Sequence, residues 1–215
     1  MSLWTMILLM GEGFGRTGAI FFLTLIFSLP LGMVVALLRM SKSGIVSWIT
    51  RFFISVLRGT PLMLQILAIT YGPFYLFETP ISRNKLIPVV IAFAINYAAY
   101  FAEIYRGGIE SIPKGQYEAA QVLGYNRVQT FFLIILPQVI KRILPSVTNE
   151  IVTLVKDTSL AFTVSYAEMF TVGKQIANSQ TSFTPFVVAG VFYFIANYLV
   201  AFVMEKIEES MRYYK

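Results

Sequence analysis

Residues 103–142 read EIYRGGIESIPKGQYEAAQVLGYNRVQTFFLIILPQVIKR, a polar and basic interruption between strongly apolar flanks. Pro113 suits the first turn of a helix, where no N–H donor is needed. Glu118, near the start of that helix, complements its dipole. The small pair Ala119 and Ala120 lets another surface approach closely. Gly124 can break the helix or cap it in a left-handed conformation. The segment reads as one that lies beside a membrane and touches another protein.

The flanks set that context. The chain is 57% hydrophobic and 13% charged, with a mean hydropathy of +0.70. A soluble domain carries roughly a quarter charged residues. So little polar surface points to an integral membrane protein. Cysteine and histidine are both absent. That excludes disulfides, thiol chemistry and histidine-based metal or acid–base chemistry, and no metal site is expected. The net charge of +6 lies mostly in short loops between apolar runs, so anionic lipid headgroups, and not nucleic acid, are the expected counterpart. Residues 4–10 are largely apolar, but Glu12 follows and no basic stretch precedes them, so a cleavable signal peptide is not expected.

The expected architecture is all-α with five transmembrane helices. Residues 17–38 form 22 uncharged positions, enough to cross ~30 Å of hydrocarbon. The second span, 59–77, is interrupted by Pro61 and Pro73, so its ends are expected to be kinked or non-helical. The third is placed at 86–105, the fourth at 143–167 and the fifth at 183–204, with Pro185 near its start. The run 128–140 ends near Pro137 and is too short to span, which fits an interfacial segment and leaves 106–142 outside the bilayer. Lysine and arginine set the orientation. Arg39, Lys42, Arg51, Arg58, Arg106, Lys114, Arg127, Lys141, Arg142, Lys206, Arg212 and Lys215 fall on one side, against Arg16, Arg83, Lys85 and Lys174 on the other. This bias predicts a multi-pass protein with its N-terminus outside, its C-terminus in the cytoplasm and a cytoplasmic 106–142 segment.

Glu118-Ala119-Ala120, then Gly124, then Ile134-Ile135-Leu136-Pro137 resemble the EAA loop of ABC importer permeases. Residues 58–62 (RGTPL), 102–109 (AEIYRGGI), 111–116 (SIPKGQ) and 154–160 (LVKDTSL) narrow the likeness to polar amino-acid permeases of the histidine, glutamine and arginine type. The resemblance runs from about residue 14 to residue 209. It implies the type I importer permease fold, a prokaryotic inner-membrane location, and a short cytoplasmic coupling helix docked on a separate ATPase. Pro113, Glu118, Ala119, Ala120 and Gly124 are the coupling residues so implied. The implied partners are an ATPase dimer, a second copy or a homologous permease, an extracytoplasmic amino-acid-binding protein, and the amino acid carried. The chain has no G-x-x-x-x-G-K-[ST] sequence, so no cofactor is expected in it; ATP and Mg would be bound by the partner ATPase.

Charges inside spans are costly and normally face protein or water. Glu150 and Asp157 are seven apart, about 20° short of two helical turns, and share a face with Thr153 near it, while Lys156 points roughly 100° away. Asn96, Tyr100 and Glu103 form a second polar stripe at i, i+4 and i+7. Two such stripes fit a water-exposed substrate path. Paired carboxylates favour a basic amino acid, and Asn96, Tyr100 and Thr153 leave glutamine open. The structural alternative is internal neutralisation: Lys156, the sequence neighbour of Asp157, snorkelling to an interface or pairing with a carboxylate of another helix, Asp157 as a cap for the next turn, and Glu103 with Arg106. Arg58, Gly59, Thr60 and Pro61 read as an architectural or gate-forming bend. Gly32, Ala36, Ala189 and Gly190 are small enough for close helix approach. An ATP-independent secondary transporter and a non-transporting membrane adaptor are the competing classes, and no nucleophile–base set for an enzyme can be assembled.

Overall fold

The computed structural model describes residues 2–211; Arg212 and Lys215, counted above, lie outside the described residues. Among these residues the regular structure is entirely helical: α1 (Leu3–Arg39), α2 (Gly44–Gly59), α3 (Leu62–Phe77), α4 (Leu86–Glu110), α5 (Lys114–Val122), α6 (Arg127–Val164), α7 (Met169–Gln180) and α8 (Thr184–Ser210). Four of them, α1, α4, α6 and α8, are long and apolar enough to cross a membrane. The bent pair α2–α3 supplies a fifth crossing if it is one broken span.

α1 begins well before the uncharged run at residue 17. Ser2 caps it by accepting the Thr5 N–H at 3.2 Å. Its 37 residues make a rod of about 55 Å, longer than the hydrocarbon, and Glu12 and Arg16 ride on the excess length. α1 packs along α4, the most buried of the long helices. Gly32 permits that approach, since a Cβ there would lie 2.8 Å from the Phe101 Cβ. Ala36 is buried beside it, with Phe93, Tyr97 and Phe101 of α4 forming the centre of the core. Ala189 is also buried, but Gly190 faces open space and brings no helix close.

α2 and α3 meet at 106°. Thr60 precedes a proline, which pushes it out of the helical region, and it is extended at ψ 146°. Pro61 is extended as well and caps α3. Pro73 does not end α3, contrary to expectation: the helix continues to Phe77, because loss of one N–H so near the terminus removes a single bond.

The boundary expected at residue 143 is not a break in the fold. α6 runs unbroken from Arg127 to Val164, so the run 128–140 is the first part of the fourth long helix. Pro137 is tolerated because the preceding turns, Thr130–Ile135, widen into a π-helix, which relieves the clash of its ring with the carbonyl four residues back. A capping box between Asn126 and Gln129 starts the helix.

The two ends of the bundle carry different groups. Arg39, Glu103, Arg106 and Arg142 gather at the end that holds α5, where Met211 beyond α8 also lies in a groove with Gln116 and Lys141. At the opposite end Lys85 donates to the Val164 carbonyl at 2.7 Å and Arg16 to the Ala167 carbonyl at 3.1 Å.

Candidate functional site

The α2–α3 bend, α4 and α6 bring the predicted path residues together. Tyr97 donates its hydroxyl to the Asp157 carboxylate at 2.8 Å. Glu150 lies within electrostatic range of both Asp157 and Arg58, and both carboxylates act on Tyr97. The Arg58 guanidinium sits 4.9 Å from the centre of the Tyr100 ring. Thr153 is half-buried on the same helix, and Lys156 is exposed. Among the described residues, no lysine or arginine forms an ion pair with Glu150 or Asp157. Asp157 makes no side-chain cap for the turns that follow it, where α6 tightens into a 3-10 helix, Thr158–Val164.

Asn96 is placed differently from a free path residue. It is buried, and its amide donates to the Leu57 carbonyl at 3.1 Å and to Gln65 Oε1 at 3.0 Å. Gln65 in turn donates to the Leu57 carbonyl at 2.8 Å and to Thr60 Oγ1 at 2.9 Å. Asn96 and Gln65 thus fasten the bend to α4, and Thr60 closes it by donating to the Val56 carbonyl. Gly59 has open space around it. Gln65 was legible as the lone amide in an apolar run, four residues past Pro61.

Glu103 is held in a local cluster. Arg106 reaches it at 2.6 Å and reaches Glu110 at 2.5 Å, and Arg39 lies 3.8 Å from its other oxygen. Glu103 lines a pocket of about 390 Å³ with Gly107, Gly108, Ser111, Arg142 and Ser146.

At the far end, Glu168 is 0% exposed and caps α7, a role not read from the sequence. It accepts the Phe170 and Thr171 N–H groups at 2.7 Å, the Thr171 hydroxyl at 2.7 Å and the Tyr193 hydroxyl at 3.1 Å. Burial pushes its carboxyl above the ordinary range, against these donors, which pull it down. The Met169 N–H donates to Thr17, so α1, α7 and α8 are joined there.

α5 is a short elbow fixed to α6. Ile112 beside it packs with Ile135 and Val139, and Tyr117 joins the same cluster. Arg142 donates to the Ser111 carbonyl and hydroxyl, and Gln138 to Gln116 at 3.2 Å. Pro113 stands one position before the first helical residue, as the N-cap. Gly124 takes φ 80°, and the Tyr125 and Gly124 N–H groups donate back to the Ala120 and Gln121 carbonyls, a Schellman ending. The small pair is split by this geometry. Ala120 is 1% exposed and turned inward, while Glu118 and Ala119 face out. Two large apolar side chains at its end are left exposed, Val122 at 88% and Leu123 at 73%. They form an apolar knob at the tip of a polar helix, starting two positions beyond the EAA triplet.

Residues 28–213 match the family described as binding-protein-dependent transport system inner membrane component. The chain belongs to this family. Such an inner membrane component is a transport subunit, with its ATPase on a separate protein. The chain is 40% identical to the octopine transport system permease protein OccM of Rhizobium radiobacter, over 82% of this chain and 76% of that one. It is 36% identical to the L-cystine transport system permease protein TcyB of Bacillus subtilis (strain 168), over 89% of this chain and 82% of that one. Among solved structures, an amino acid ABC transporter crystallised with histidines superposes with a TM-score of 0.87 at 29% identity, covering 98% of this chain and 99% of that one. This permease is therefore a membrane-embedded subunit of an ATP-driven amino-acid importer.

Proposed function

We propose that the permease carries basic L-amino acids past Glu150 and Asp157. The observation that carries this is a pair of half-buried carboxylates on one helix, without an ion-pair partner among the described residues. Bringing two like charges to such a site is unfavourable until a cation arrives. A substrate bearing two cationic groups satisfies both. The amide of Asn96 is already committed, which removes one neutral donor that glutamine would use.

The N-terminus lies outside and the C-terminus in the cytoplasm, with α5 at the cytoplasmic face; the clustering of Arg39, Arg106 and Arg142 at the α5 end supports this. There α5 enters a groove of the ATPase, Val122 and Leu123 foremost. Two ATPase subunits, which bind ATP and Mg, close on a pair of permeases and switch them between inward- and outward-open states. An extracytoplasmic binding protein delivers the amino acid.

The test is uptake by proteoliposomes holding the permease, the ATPase and the binding protein. Glu150→Gln and Asp157→Asn lower uptake of a cationic amino acid more than uptake of glutamine; equal losses refute the charge-based reading. The chain has no cysteine, so a single Glu118→Cys reports sidedness: reagent added outside sealed cells must fail to label it.

A further inference from the structure

We infer that Arg58 is the receptor for the substrate's α-carboxylate, while Glu150 and Asp157 take its cationic groups. This rests on the reading that those carboxylates line the path.

Arg58 ends α2, where the chain turns at Gly59–Pro61. Its guanidinium lies against the Tyr100 ring at 4.9 Å. It feels Glu150 and also Glu103, yet it pairs with neither. Glu103 is already held by Arg106 and approached by Arg39, so Arg58 is not required to neutralise it. The result is an exposed cation seated on an aromatic face beside a carboxylate, with its planar fork of donors uncommitted. A guanidinium stacked in this way is suited to bidentate capture of a carboxylate.

The charge pattern complements one substrate class. The path offers two carboxylates and the guanidinium of Arg58, with the exposed Lys156 also acting on Asp157, and a basic amino acid offers one carboxylate and two cations. Glu150 and Asp157, seven residues apart on α6, are offset by about 10 Å along the helix, which suits an extended diamino acid better than a compact neutral one. The bend is braced on both sides of Arg58: Gln65 of α3 donates to Leu57 and Thr60, and Asn96 of α4 donates to Leu57 and to Gln65.

The experiment is equilibrium binding to the purified permease–ATPase complex without its binding protein, using L-arginine and L-arginine methyl ester. Esterification removes the carboxylate charge and keeps both cations. The wild type is expected to bind arginine at least tenfold more tightly than the ester. Arg58→Gln brings that ratio close to one, by weakening arginine and not by tightening the ester, and Arg58→Lys restores part of it. A purely structural arginine would weaken both ligands alike and leave the ratio unchanged, which overturns the assignment. A wild-type ratio of one overturns it too, while leaving the carboxylate path standing if Glu150→Gln still weakens both ligands. If arginine binds and Glu150→Gln changes neither ligand, the path reading and this one both fail.

Discussion

Two adjacent glycines on α4 have opposite surroundings, and that contrast measures how α4 and α6 are joined beside the elbow. A Cβ at Gly107 would meet nothing within 4 Å. A Cβ at Gly108 would overlap the Ile143 Cγ2 and come within 3.2 Å of the Val139 Cγ1, with the Ile143 Cβ only 3.7 Å away. Isoleucine in a helix is confined to essentially one χ1 rotamer, so its γ-methyl cannot swing aside. Gly108→Ala must either strain that side chain or part the two helices. Overpacking of this kind costs about 1–3 kcal/mol. Both substitutions gain the same helix propensity, roughly 0.5–1 kcal/mol, so the difference between them isolates the steric cost of about 1–3 kcal/mol. Thermal unfolding of the detergent-solubilised permease–ATPase complex should therefore show Gly107→Ala at or above the wild-type midpoint and Gly108→Ala below it. The joint lies next to Ser111 and Arg142, which connect α5 to α6, so uptake per ATP hydrolysed should fall in Gly108→Ala alone. Ile143→Ala added to Gly108→Ala should cost less than the sum of the two, as expected for residues in direct conflict. Equal stability of the two alanine variants would refute the close crossing.

Three further outcomes are expected. Leu123→Asp, placed on the apolar tip of α5, should abolish ATPase association in pull-down while membrane insertion is unchanged; retained association would remove the knob from the docking surface. Tyr97→Phe leaves the Asp157 carboxylate without its donor, a loss of about 1–3 kcal/mol, and should shift the apparent KM for a cationic substrate more than that for glutamine in vesicle uptake. Glu168→Gln turns one acceptor oxygen into a donor facing the N–H groups of Phe170 and Thr171, costing about 1–3 kcal/mol; it should lower the unfolding midpoint and leave the ratio of arginine to glutamine uptake unchanged.

The helical membrane class was written in composition and in long uncharged runs, because burial in lipid leaves no other way to satisfy a backbone than helices or closed barrels. The short helix Lys114–Val122 was legible in Pro113, the EAA triplet and Gly124, whose conformations depend on neighbours within a few residues. What sequence concealed were decisions made between elements. The run 128–140 reads as a short segment apart from the fourth span until the widened turn before Pro137 is seen to carry the helix through. Asn96 reads as a free donor until Gln65 and Leu57 are seen to accept its amide hydrogens. Ala119 and Ala120 read as one small surface until helix phase sends the second inward and leaves Val122 and Leu123 outside.

The continuity of α6 is what gives these separate pieces a common mechanics. Its first turns hold the elbow through Ile135 and Val139. Its middle crosses α4 at Ile143 and Gly108. Its later turns carry Glu150 and Asp157, and its last carbonyl is held by Lys85 at the far end. The elbow and both carboxylates are thus attached to one helix, with no loop between them. α-helical geometry is abandoned in only two places along this rod, the π turns Thr130–Ile135 and the 3-10 turns Thr158–Val164. Both are departures that mark where a helix yields. The stretch between them, Leu136–Asp157, stays α-helical through Pro145, which removes one backbone donor between the elbow contacts and the carboxylates. Asp157 is the last residue before the second yielding point, and its bond to Tyr97 ties it to α4. Together with the Gly108–Ile143 crossing, that bond fixes α6 against α4 at two heights.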